Sequence, residues 1–523
     1  MDGELERNIV RVNPWIVSVS VVSATFMEVL DTTVVNVSLP HIAGSMSATV
    51  EEATWTLTSY LVANAIILPL TGWLARYFGR KRLLTLAVAG FTVSSFLCAL
   101  APNLTALVVF RVIQGASGGT MQPLSQAIML ESFAPEDRGK AMAFWGLCIV
   151  TAPIIGPVIG GWLTDTYSWR WVFYINIPVG VTSAVLIRMF VFDPPYLRRP
   201  ETRVDYWGIG MLALGMACLQ ILLDKGQQED WFSSDSMSAL GAIAAASLAA
   251  FVVHELRVPH PVVNLRAFRN RTFSTGVFLI TILGFVLYGS LVLLPIMLQT
   301  LLGYPSLQAG IAMVPRGIAS FIFLPVVGTM LGRLGARKLL TFGFVATGIT
   351  LLWLARLNLD LGYWDIFWPQ FVQGMAMSCL FVPLTTITMD PIPKEEMGNA
   401  TSIFNVMRNI GGSVGIATST TILARHRQVY DNILGSHVHP YGLRTQQLLA
   451  QLRAALAARG TDIHTAQRRS YAIVYYMVER QSAMLAFNDV FRTLGTLFIL
   501  ITPLIWLMRR PRLRRGAAAP AGH

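Results

Sequence analysis

The sequence predicts an all-α integral membrane protein: two similar six-helix bundles with two further helices between them, fourteen spans in all. Three observations predict it. First, 54% of the 523 residues are hydrophobic and only 13% are charged, with a positive mean hydropathy. A soluble chain of this size needs far more charge to cover its surface. Second, near-uniform apolar runs such as 83–101, 172–191 and 339–355 have membrane-crossing length. Third, the chain repeats itself. Arg111, Gln114 and Gly115, then Pro123 and Leu124, then the hydrophilic break 135–139, return about 258–260 residues later as Gln370, Gln373 and Gly374, then Pro383 and Leu384, then 393–398. At a slightly smaller offset, Gly72 with Gly79, Arg80 and Lys81 returns as Gly328 with Gly335, Arg337 and Lys338, and Gly156 with Gly160 as Gly411 with Gly415. An apolar chain of two like halves is the pattern of a protein that rocks one half against the other around a central site.

Proline, glycine and charge clusters divide the chain in order. The first six spans are 15–38, 53–74, 83–101, 104–130, 140–163 and 170–191. Two more, 206–223 and 237–254, fall in the surplus between the copies, and six follow: 272–301, 307–331, 338–356, 364–389, 397–424 and 485–508. An even number of inserted helices returns the chain to the same side, so both halves keep one orientation. The expected units are a bundle at 1–192, a two-helix linker at 193–269 and a second bundle at 270–523. Loops at the even-numbered exits hold Arg76, Arg80, Lys81 and Arg82; Arg138 and Lys140; Arg198, Arg199 and Arg203; Arg257, Arg266, Arg269 and Arg271; Arg333, Arg337 and Lys338. The tail adds Arg509, Arg510, Arg512, Arg514 and Arg515, whereas the loop 224–235 on the other side is net acidic. Lys and Arg are retained in the cytoplasm, which predicts cytoplasmic termini. The formal charge of +12 is therefore topology and not a nucleic-acid surface. The first apolar segment carries acidic groups and no cleavage site, so no cleavable signal peptide is expected. Residues 425–484 are expected to form an external segment in which 444–459 is an amphipathic helix, with Leu448, Leu449, Leu452 and Leu456 on one face, stopping at Gly460. A segment of this length suits a docking surface.

Polar groups inside spans are costly and mark function. Asp31 and Glu28 lie three residues apart on the first span and share a helical face. Loss of water favours a neutral acid, and a second carboxylate nearby strengthens that preference, which suits a group that takes up and releases a proton. The alternative is a permanent structural pairing. Arg111 is the natural counterion, because an arginine at that depth keeps its charge and needs a partner. Arg316 and Arg408 pose the same question in the second half. Asn64, Gln114, Gln122, Gln126, Gln373 and Asn405 are polar points that line a central cavity or bond across helix contacts. Pro153, Gly156, Pro157, Gly160 and Gly161 combine small residues four apart with two prolines, allowing close approach and bending. Gly72, Gly79, Arg80 and Lys81 form a tight turn whose cations can meet helix C-termini and anionic lipid. No nucleotide-binding glycine loop, nucleophile motif or metal-ligand spacing is present; His437 and His439 alone are too few, and Cys98, Cys148, Cys218 and Cys379 sit singly in apolar segments.

With these residues in view, the chain resembles the fourteen-span drug:proton antiporter branch of the major facilitator superfamily over nearly its whole length. The stretch 30–40 is similar to a motif of that branch, Arg111 to Gly115 to its fourth-span motif linked to proton transfer, Gly156 to Gly161 to its antiporter motif, and Trp169 to Gly180, with Asn176, to a further shared block. Two departures stand out: Arg76 takes a place where the family's loop motif has an Asp, and Glu28 one where relatives more often have an amide. The resemblance implies proton-driven export of hydrophobic and amphipathic toxic compounds across the bacterial inner membrane, with no cofactor beyond the coupling ion H+. It also implies a periplasmic membrane-fusion adaptor and an outer-membrane channel as partners. An exporter of one metabolite, such as a fatty acid or siderophore, and a non-transporting scaffold or receptor remain the alternatives; no enzyme is expected.

Overall fold

The computed structural model describes residues 13–134, 136–193, 204–439 and 441–508. Among these every regular element is a helix. In chain order the long helices are α1 (Pro14–Ser45), α2 (Trp55–Phe78), α3 (Arg80–Ala99), α4 (Leu104–Ser132), α5 (Arg138–Thr166) and α6 (Trp171–Phe190), then α7 (Tyr206–Lys225) and α8 (Asp235–Arg257). The second half holds α9 (Arg271–Thr300), α10 (Ser306–Leu334), α11 (Ala336–Leu354), α12 (Tyr363–Met389), α13 (Met397–Ser436), α14 (Leu443–Ala458) and α15 (Ile463–Ile501). Helix α1 starts where Pro14 fixes the first turn and the Asn13 side chain accepts from the Trp15 N–H at 3.0 Å. The turns after α2 and α10 are made at Gly79 and Gly335, whose φ values of +84° and +80° favour glycine. The expected basic residues Arg198, Arg199, Arg203 and Arg509 to Arg515 lie outside the described residues.

Thirteen of these helices are long and apolar enough to cross a membrane. The expected span 397–424 is part of α13, which is long but not apolar enough by composition. Asn399, Asn405, Arg408, Asn409 and a run of glycines dilute it, and the buried face runs from Met397 to Ser419. The external segment also differs from expectation. Helix α13 continues to Ser436 and α15 begins at Ile463, so most of 425–484 extends two spans outward. No proline interrupts either stretch, and pairs between Arg427 and Glu479 and between His426 and Asp489 tie them together. Helix α14 packs on α15 through Leu449, and Gly460 ends it at a φ of +84°.

The helices pack in two copies of one pattern. Helix α1 lies against α5 as α9 lies against α13, α2 against α4 as α10 against α12, and α3 against α6 as α11 against α15. The halves meet along two seams, α5 with α10 and α2 with α13. At the basic end both seams are tight. A Cβ on Gly72 would fall 2.7 Å from the Asn399 Cα, and one on Gly139 2.9 Å from the Gly328 oxygen. The linker helix α7 rests over one seam only. Lys225 Nζ donates to Thr54 Oγ1 at 2.7 Å, Thr58 donates to Asp224, and Ser413 Oγ donates to Gln220 at 3.2 Å.

Candidate functional site

Asp31, midway along α1, is the hub of a buried network. Its Oδ2 accepts from Arg111 Nη1 at 2.6 Å, and both side chains are wholly buried. Its Oδ1 accepts from Asn176 Nδ2 at 2.7 Å and from Gln114 Nε2 at 3.1 Å. Both amides also donate to Ser95 Oγ at 2.9 Å. Arg111 donates from Nε to the Thr56 carbonyl at 3.0 Å and from Nη1 to Gln114 Oε1 at 2.7 Å, and its guanidinium lies 4.1 Å from the Tyr60 ring centroid. Five helices, α1, α2, α3, α4 and α6, thus converge on one carboxylate. A buried charge this well partnered is held in place, and any change in its protonation is felt by every partner.

Glu28, one turn earlier, belongs to a second network. Its Oε2 accepts from Gln122 Nε2 at 2.5 Å, and its Oε1 from Asn64 Nδ2 at 3.2 Å and from the Tyr60 hydroxyl at 3.4 Å. Gln122 in turn accepts from Arg408 of α13, and Gln126 accepts from Asn405 Nδ2 at 2.6 Å. The first half is therefore bonded to the second through Glu28, Gln122 and Arg408. Tyr60 touches both networks, with its ring under Arg111 and its hydroxyl on Glu28.

The expected small-residue run of α5 clasps α1 beside this hub. A Cβ on Gly156 would fall 2.0 Å from Thr33 Oγ1, and one on Gly160 2.9 Å from the Val34 oxygen, whereas Gly161 has room. Pro153 and Pro157 lie inside a helix that stays continuous. At the basic end Arg80 is buried and paired with Glu131. The Lys81 N–H donates to Asp193 at 2.9 Å, and Lys81 Nζ sits 4.7 Å over the Phe192 ring. These contacts go beyond the lipid and helix-end pairing expected of the turn. Arg76, Glu395 and Glu396 line a shared crevice, and the connection before α9 closes on it. There the Asn264 N–H donates to Asn399 Oδ1 at 2.9 Å, and Asn399 Nδ2 donates to the Asn264 carbonyl at 3.1 Å.

Of the remaining expected residues, Arg316 and Gln373 stand apart in the second half. Arg316 Nη1 and Nη2 and Gln373 Nε2 make no hydrogen bond among the described residues. Tyr60, Ser95 and the Thr56 carbonyl belong to the site without a signal in the sequence, and Asn176, known from the sequence only as part of the shared block, joins them. Asn176 carried a signal, as an amide within an apolar run; serines and tyrosines are too common in spans to stand out.

Three likenesses bear on this arrangement. The multidrug export protein EmrB of Haemophilus influenzae is 39% identical over 491 residues, covering 93% of this chain and 94% of the relative. The fatty acid resistance protein FarB of Neisseria gonorrhoeae is 37% identical over 501 residues, covering 95% and 96%. Among solved structures the human organic anion transporter MFSD10 aligns with a TM-score of 0.60 at 14% identity, covering 95% of this chain and all of that one, which speaks to the fold. The Major Facilitator Superfamily model matches residues 21–416. With two pseudo-symmetric bundles and a match of this extent, the chain belongs to the major facilitator superfamily.

Proposed function

We propose that the protein is a proton-driven multidrug efflux transporter. The observation that carries this reading is the buried Asp31–Arg111 pair placed where α5 clasps α1. A proton on Asp31 cancels its charge and releases Arg111 onto the Thr56 carbonyl, Gln114 and the Tyr60 ring, partners it already has. Thr33 and Val34, the residues under Gly156 and Gly160, lie just beyond Asp31 on α1. A shift of α1 is therefore transmitted to α5, and from α5 to the α10 seam. Protonation of Glu28 would loosen Gln122 and with it the bond to Arg408 between the halves. Each charge carried down the membrane potential supplies about 2.3 kcal/mol per 100 mV.

The export of drugs rests on the 34–39% identity to EmrB proteins. The basic loops orient both termini to the cytoplasm of a bacterial inner membrane. The paired extensions of α13 and α15 with α14 supply the surface for a periplasmic adaptor, which would pass cargo to an outer-membrane channel. The test uses the purified chain in proteoliposomes with ethidium. Uphill ethidium transport is expected under an imposed proton gradient and should stop when the gradient is collapsed; uphill transport that survives the collapse contradicts the proposal.

A further inference from the structure

The two halves share a fold but not a charge balance. In the first, Arg111 meets Asp31. In the second, Arg316 stands on α10 where the repeat places Tyr60 on α2: a Cβ on Gly115 would fall 2.3 Å from the Tyr60 oxygen, and one on Gly374 2.2 Å from the Arg316 oxygen. Gln370 and Gln373 stand on α12 where Arg111 and Gln114 stand on α4. The guanidinium thus moves from one helix to its neighbour, and its acid disappears. Helix α9, the counterpart of α1, has no Asp or Glu, and neither do α10 and α11.

Arg316 is 3% exposed, yet Nη1 and Nη2 make no hydrogen bond among the described residues; nor do Gln370 Oε1 and Gln373 Nε2, although Gln370 Nε2 reaches Gln373 Oε1 at 3.4 Å. Arg111 Nη2 and Arg408 Nε and Nη1 are unbonded too, but those guanidiniums keep side-chain partners through their other nitrogens. Buried polar groups are nearly always bonded, and an unpaired buried charge costs several kcal/mol or more. Among the described residues the buried Arg80 of α3 is paired with Glu131, and the other buried guanidiniums of the bundle helices, Arg111, Arg316 and Arg408, are set against only two buried carboxylates, Asp31 and Glu28. One negative charge would balance them. The neighbouring residue Gly317 packs on Ile154 of α5, so Arg316 adjoins an apolar seam between the halves.

We infer that Arg316, on α10 against α12, is the recognition point for the head group of an amphipathic carboxylate substrate. The planar guanidinium presents two N–H groups that match the two oxygens of a carboxylate. Gln373 Nε2, on the facing helix α12, is one further unbonded donor, and opening of the α5–α10 seam, where Gly317 packs closely on Ile154, would admit the apolar body. A monoanion is favoured over a phosphate dianion because a single charge is unmatched. This site rests on the transport reading and names one class of cargo for it.

The experiment measures binding of decanoate and decyltrimethylammonium, probes with one tail and opposite heads, to the chain in lipid nanodiscs, with protein-free discs subtracted. The wild-type chain is expected to favour decanoate. Arg316→Gln is expected to lower the ratio of decanoate to cation affinity about tenfold, in line with loss of a charge-assisted pair. An unchanged ratio in a variant with wild-type thermal unfolding overturns the site, as does a wild-type chain with no preference for decanoate. If R316Q does not assemble, Arg316→Lys is read instead: a lowered ratio, from loss of the paired N–H groups, supports the site and an unchanged one overturns it. Ethidium transport by the wild-type chain is followed in parallel. A failed binding ratio alongside gradient-driven ethidium transport removes the carboxylate site alone, whereas absent gradient-driven transport removes the transport reading itself.

Discussion

The first half of the molecule carries its acid and its base together; the second carries a base without an acid. Around Asp31 the donors of Arg111, Gln114 and Asn176 converge on one carboxylate and its neighbours, with Arg111 Nη2 left unbonded, while at Arg316 two guanidinium nitrogens and two amide atoms of α12 remain unbonded among the described residues. The helix contacts of the two halves nevertheless correspond pair by pair. A duplicated scaffold therefore conserves backbone approach while its side chains diverge in charge. In our reading one half moves the proton and the other meets the cargo.

Replacing each arginine by leucine separates the halves most sharply. Arg111→Leu leaves Asp31 buried without its cation and should cost about 3–5 kcal/mol, whereas Arg316→Leu removes an unmatched charge and should be neutral or stabilising. Unfolding of the ligand-free chain in detergent measures both, and equal losses would break the comparison. The shared scaffold makes the opposite forecast. Gly115→Ala and Gly374→Ala each push a methyl group into a backbone carbonyl, of Tyr60 and of Arg316. Both should destabilise, by about 1–3 kcal/mol each; a loss in only one would show that the two bundles are not packed alike.

How much of this was legible beforehand followed from contrast. Asp31, Glu28 and Arg111 stood out because charge in an apolar run is rare, and Gly156 and Gly160 because small residues recur four apart. The repeat made α13 readable as a span despite its asparagines and Arg408, where hydropathy alone falls short. Tyr60 was hidden because an aromatic ring in a span is ordinary, and only packing shows that it touches both carboxylate networks. The outward extensions of α13 and α15 were hidden for another reason. A helix that leaves the membrane keeps its geometry while its composition turns polar, so a boundary drawn from hydropathy ends the helix too early. The imbalance at Arg316 needed both halves in view, since a lone arginine in sequence does not reveal whether a carboxylate faces it.

The central claim is that Asp31 carries the coupling proton, and Asp31→Asn tests it most directly, because the amide keeps the size of the side chain and cannot titrate. The variant is reconstituted in proteoliposomes and two ethidium fluxes are compared: exchange with no proton gradient, and uphill accumulation with one. The account predicts that exchange persists while uphill accumulation is lost. Uphill accumulation in the variant at the wild-type level would contradict it.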